Sequence, residues 1–151
     1  MANTQAMCTS FKNELFTSTH NFGSGTIRGS TAADVFKAAL YYSSATLNAT
    51  TTVYSSAGEV SGTGYTPGGV VITNAVAPTT SGATAYWTPS AYIESPAMSI
   101  PAPFDCVLIY NATQANKAVA VYTFSPQTVS VGTFTLVTPA NVAGTAMLNL
   151  A

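Results

Sequence analysis

The spacing of hydrophobic positions changes along the chain. Near the start, Met7, Phe11 and Leu15 recur every four residues with Cys8 beside them, while Lys12, Asn13 and Glu14 fall off the stripe. That spacing gathers apolar side chains on one helical face. Asn3 or Thr4 supplies a cap and Gly23 with Gly25 a stop, so a helix is predicted over 4–18. After residue 30 the pattern is that of strands and turns. Residues 36–42 alternate between Phe36, Ala38, Leu40, Tyr42 and the intervening positions; a strand or a short helix could hold this pattern, and the β-rich context favours a strand. Residues 46–69 hold Gly58, Gly62, Gly64, Pro67, Gly68 and Gly69 with few large aliphatics, which predicts a long loop. Short strands follow at 70–72 and 84–88. A further one at 92–100 is broken by Pro96, as at an edge or bulge.

The clearest strands come late. Residues 104–110 (FDCVLIY) form an unbroken apolar run of strand length, the pattern of a strand covered on both faces. Residues 118–124 (AVAVYTF) follow the polar stretch 111–116, which predicts an antiparallel hairpin. Residues 129–131 and 134–137 alternate around Gly132, and 147–150 supply a last strand. The whole predicts an all-β fold: an antiparallel, jelly-roll-like β-sandwich of seven to nine strands with one N-terminal helix. A length of 151 residues fits one domain. Within it, 1–22 form a helical arm and 23–151 the sandwich.

Composition changes this picture in one respect. Hydrophobic residues make up 47% of the chain, yet only 6% are charged, against about 25% in an ordinary soluble domain. Polarity comes instead from 24 Thr and 15 Ser. The net charge of −1 excludes a protein that binds nucleic acid by neutralising phosphates, and it argues against an anionic membrane surface. No apolar run approaches the roughly 20 residues of a membrane span, and the first residues lack the basic and apolar regions of a secretion signal. Cys8 and Cys106, far apart, read as reduced thiols in a cytoplasm. The sequons at Asn48 and Asn111 are chance matches in a Thr-rich chain.

Little in the sequence carries chemistry. His20 is the single histidine and reads as a helix-end or loop residue; Gly23-Ser24-Gly25 lacks the pattern of a nucleophile elbow and reads as a flexible turn. Glu14, Asp34, Glu59, Glu94 and Asp105 are scattered, and Asp105, at the head of the most apolar strand, is expected to pair with Lys117 or backbone donors. One histidine, two isolated cysteines and scattered acids make no metal set, so neither cofactor nor enzymatic activity is expected. Tyrosines and Trp87 are numerous, and such side chains suit interfaces. A surface this poor in ions costs little to desolvate and fits a protein packed into a larger assembly.

Residues 34–69 add a resemblance. Asp34-Val-Phe-Lys37-Ala-Ala-Leu-Tyr41, Ser44-Ala-Thr-Leu47, Thr52-Val-Tyr54 and Gly58-Glu-Val-Ser-Gly-Thr-Gly-Tyr65 with Gly68-Gly69 resemble a recurrent family of small virion structural proteins of tailed bacteriophages. Ala118-Val-Ala-Val121, Phe124, Gln127-Thr-Val129, Gly132-Thr-Phe134 and the apolar finish at Leu148 and Leu150 resemble it too, while 96–103 depart from it with extra prolines. The resemblance implies a particle component made in the bacterial host cytoplasm and carried on the virion. Among particle roles, a capsid cement or decoration protein on the capsid surface is expected. It would bind the major capsid protein and itself, as a homodimer or homotrimer, with no nucleic-acid or membrane partner. The contact elements expected are the helix 4–18 and the loop 46–69, with Met7, Phe11, Leu15, Tyr54, Tyr65, Tyr86, Trp87 and Tyr92 as interface residues. Alternatives are a tail, neck or head-fibre component, or a carbohydrate-binding module with a face around Tyr86, Trp87 and Tyr92.

Overall fold

A computed structural model describes residues 2–23, 29, 32–72, 77–89, 92, 93 and 97–151. Ser24 and Gly25 of the predicted turn, Glu94, and the expected break at Pro96 lie outside these residues. The fold is an all-β antiparallel sandwich with one short N-terminal helix. Strands β1 (Ala6–Met7), β2 (Phe36–Tyr42), β3 (Val70–Ile72), β7 (Met98–Asn111) and β8 (Lys117–Gly132) form the main sheet, in the order β1-β8-β7-β2-β3. A second sheet is ordered β10-β5-β4, from β10 (Leu148–Leu150), β5 (Thr84–Trp87) and β4 (Thr79–Ser81). A short ribbon pairs β6 (Tyr92–Ile93) with β9 (Thr135–Leu136).

The long hairpin β7–β8 is the backbone of the molecule. As the unbroken apolar run required, β7 is the central strand of its sheet, and Cys106 to Tyr110 are buried without exception. The polar stretch makes the predicted turn. Ala115 and Asn116 take positive φ, and the Asn111 side-chain carbonyl accepts from the Thr113 and Gln114 amides. The two strands are longer than expected because each absorbs its prolines in a bulge. Ile100 pairs with Val129 and Phe104 with Gln127, so β7 has two extra residues there; Cys106 then pairs with Thr123, so β8 has the compensating two. β4 and β1 carry no hydrophobic alternation and were not legible in the pattern.

The N-terminal helix is shorter than 4–18. It is α1, Thr9–Phe16, with Cys8 at its N-cap and no side-chain cap. Asn3 and Thr4 cannot cap it because both are used elsewhere. The Asn3 side chain joins Tyr42, Leu47 and Asp105, and the Thr4 amide donates to the Leu47 carbonyl. This stretch is therefore extended, and Met7 sits in β1 against Ala120 instead of on a helix. β1 and α1 share the core of the main sheet, with Cys8 and Phe11 fully buried in it.

The loop 46–69 is closely packed onto the sheet. The Val60 amide donates to Leu40, Tyr42 to Gly58 and Ser99 to Thr63. Glycine is required where it touches. Gly69 has φ +71°, and a Cβ there would stand 1.9 Å from the Ala38 carbonyl oxygen; Gly64 has φ +76°, with Met98 Cα 2.8 Å from the same position. The two sheets meet through aromatic rings. Trp87 of β5 packs 5.7 Å from Phe36 of β2, and Phe22 stacks on Phe36 at 4.7 Å. A second cluster joins Phe104, Phe124 and Phe134.

Candidate functional site

The scattered ionisable residues are gathered by the fold into two polar clusters. In the first, His20 is wholly enclosed, with 0% of its side chain exposed. Its Nε2 lies 2.7 Å from Glu14 Oε2, and its Nδ1 lies 3.0 Å from the Asn111 amide nitrogen. An amide nitrogen only donates, so Nδ1 accepts and Nε2 carries the proton given to Glu14. The same Asn111 amide donates to Asp34 Oδ2 at 2.8 Å, where the Asn21 backbone amide also donates. Lys117 Nζ closes the chain at 2.5 Å from Glu14 Oε1. Burial holds His20 below its ordinary pKa. Burial also pushes Glu14 upward, but the bonds from Lys117 and His20 outweigh it and hold the carboxyl below its usual value. Both ring nitrogens are engaged inside the protein, so the cluster fastens α1 and the hairpin turn together and presents no nitrogen to a substrate.

One expectation changes here. Lys117 does not meet Asp105, whose carboxylate accepts from Asn3. Lys117 pairs opposite Asn111 at the turn, and Asp105 is six residues up β7, roughly 20 Å away at strand rise. His20 lies in the loop just beyond α1, as expected, and is also the hub of a buried network. Its only sequence signal was Asn111-Ala-Thr113, an Asx turn that also spells a sequon. Asn111 is fully buried, with both ends of its amide used.

The second cluster centres on Glu59. Tyr54 and Tyr65 each donate a hydroxyl to its carboxylate, at 2.6 and 2.7 Å, and the Gly68 amide adds a bond at 2.8 Å. Tyr65 also accepts from the Leu40 amide, and Tyr110 donates to the Gly68 carbonyl while stacking on Tyr54 at 4.7 Å. Burial next to Glu59 pushes the Tyr110 hydroxyl up to about 12. Glu59 thus pins the glycine loop to β2 and β7. Among the described residues no group of three His, Cys, Asp or Glu is placed to hold a metal ion.

The surface is the more informative region. Arg28 and Glu94 lie outside the described residues, and of the seven other charged side chains only Lys12 is exposed. Glu14, Asp34 and Glu59 are buried, and Lys37, Asp105 and Lys117 are partly covered. The structure exposes apolar groups instead: Phe16 at 91%, Val131 at 81% and Val137 at 79%. A pocket of about 120 Å³ opens between α1 and β5, lined by Phe11, Leu15, Ala85, Trp87, Leu148 and Leu150 among others.

The expected interface residues divide accordingly. Phe11, Leu15, Tyr86 and Trp87 come together around this pocket. Phe11, Tyr65 and Trp87 are buried within the chain itself, so only Leu15, Tyr86, Tyr54 and Met7 keep partial exposure. Tyr92 pairs with Leu136, and its side chain lies outside what the structure describes. Phe16 was missed although the period carries the signal: it follows Leu15 by one residue and so falls off the buried stripe. No protein-family profile, curated protein or solved structure matches this chain.

Proposed function

We propose that this chain is a non-enzymatic structural protein of a tailed-bacteriophage particle, most specifically a capsid cement or decoration protein. It binds the major capsid protein, and copies of itself, and stabilises the DNA-filled shell. The observation that carries this reading is the surface: among the described residues one exposed charge, Lys12, stands beside exposed Phe16, Val131 and Val137 on 7207 Å². A monomer living free in water keeps a surface roughly 25–35% charged. Here partners are the natural cover, and contact strips almost no hydrated ions. The resemblance of residues 34–69 and 118–134 to phage virion proteins supports the same reading. Stabilisation follows from number: each copy contributes a modest interface, and many copies on one shell act together.

The rigid packing of the glycine loop changes which surface does the binding. Contact passes to the exposed apolar side chains of α1 and of the β8–β9 region. The carbohydrate reading loses its platform, since Trp87 lies under Phe22 and Phe36. The test is the ratio of this protein to the major capsid protein in purified particles, by quantitative mass spectrometry. Hundreds of copies are expected. A few copies would move the protein to the tail or neck, and absence from particles would end the proposal. Binding to emptied shells is tested with Phe16→Ala and Val131→Ser, because deleting 1–18 would remove β1 and Phe11 and unfold the sandwich.

A further inference from the structure

We infer that this chain pairs with a second copy of itself by exchange of Phe16, the phenyl ring of each copy filling the apolar pocket between α1 and β5 of the other. Phe16 ends α1 and is the most exposed large apolar side chain described, at 91%. The pocket is a hole of matching chemistry beside the same helix, with Leu15 in its lining. Its volume is about 120 Å³, and none of its lining residues is charged. A dry cavity of about 150 Å³ lined by Leu, Ile and Phe takes up benzene, so a phenyl ring is the group this pocket suits in size.

The ring cannot fill its own hole. Leu15 lines the pocket, and Phe16 stands roughly 100° further round the same helix. Knob and hole are therefore neighbours that do not meet within one chain. A two-fold axis close to α1 brings each knob over the other copy's hole, and such an isologous contact closes as a dimer. Lys12, one turn before Phe16, is the one exposed ion described on α1, and near the axis its two copies repel mildly, an effect that salt screens. Two rings bury roughly 300–500 Å² at 150–250 Å² each, against about 1,200 Å² for a lasting interface. The isolated dimer is accordingly weak, and it gains from being held in an array. The inference rests on the reading of the chain as an assembly subunit for its use, while the contact itself needs no shell.

The test replaces Phe16 in the full chain with the photo-crosslinker p-benzoylphenylalanine and irradiates at about 0.5 mM, where a weak interface is populated. A double-mass adduct is expected, mapping to 78–87 or 148–150 of the second copy. Adding Ala85→Phe to the same chain fills the hole and abolishes the adduct. Mixing in the F16A protein, whose hole is open, restores it, and Trp87 fluorescence confirms that both variants are folded. No adduct, an adduct mapping elsewhere, or one formed only with capsid shells overturns the inference. A dimer made by a protein absent from particles leaves the inference standing and removes the proposed function; a shell-bound protein without the adduct does the reverse.

Discussion

Replacing Asn111 by Ala is expected to cost about 3–5 kcal/mol of stability. The side chain is fully buried and makes four bonds: donations to Asp34 and His20, and acceptances from Thr113 and Gln114. Their losses are unequal. The Thr113 and Gln114 amides lie in a turn that water reaches, so each costs little. His20 Nδ1 is left enclosed with no donor, about 1–3 kcal/mol for a buried unsatisfied group. Asp34 loses a bond to a charged acceptor, about 1.5–3 kcal/mol, softened because Asn21 still donates to the same oxygen. For a chain of this length, 1 kcal/mol moves the melting temperature by about 2–4 °C, so a fall of roughly 6–20 °C is expected. Urea unfolding followed by Trp87, the single tryptophan, reads the change directly, because that ring sits in the aromatic contact between the sheets. Asn13→Ala, exposed on α1, serves as the control and should stay within about 0.5 kcal/mol. An Asn111→Ala protein within 1 kcal/mol of the parent, with an unchanged denaturant slope, would refute the network as a source of stability.

Acid should weaken the fold in two steps. His20 and Glu14 both have folded pKa values below their ordinary 6.5 and 4.5, so the unfolded chain takes up protons first. Stability is full above pH 6.5, falls as the pH drops below it, and falls again below 4.5. A urea midpoint that rises between pH 7 and 5 would contradict this, and a His20→Gln protein should lose the first step. Gly69→Ala places a methyl 1.9 Å from the Ala38 carbonyl at φ +71° and should cost about 3 kcal/mol or more. Gly144→Ala, with open space at φ +87°, should cost about 1 kcal/mol. Melting curves of the two variants that coincide would refute the close approach. Burial raises the Cys8 thiol to about 11 and Cys106 to about 12. The native protein should therefore resist thiol reagents at pH 8 for hours and react with two equivalents once unfolded, whereas native labelling within minutes would show that these cysteines open.

The fold class and its central strands were legible because burial writes itself into hydrophobic runs. Residues 104–110 read as a strand covered on both faces and 111–116 as a turn, whereas 36–42 suited a strand or a short helix and were decided by their β-rich context. The helix was overextended because Asn3 and Thr4 look like caps in isolation; their partners, Leu47 and Asp105, are remote in sequence. The same distance hid both polar clusters. Glu14 sits off the apolar stripe and is nevertheless buried, since Lys117, about a hundred residues later, supplies its partner. Glycines in 58–69 read as flexibility, whereas the structure uses their missing side chains for contact. Phe16, about 100° round the helix from Leu15, falls off the apolar stripe, so its exposure was in the period and went unread.

The pairing of β2 with β7 has a consequence for how the molecule is made. Phe36 meets Asn111 and Tyr42 meets Phe104, so strands that lie side by side are separated by more than sixty residues of chain. A ribosome adding about 5–20 residues per second delivers β7 several seconds after β2. Throughout that wait β2 can pair only with β3, and its other edge stands without the central strand. The first half therefore cannot complete the main sheet until the hairpin arrives, and the sheet closes late in synthesis.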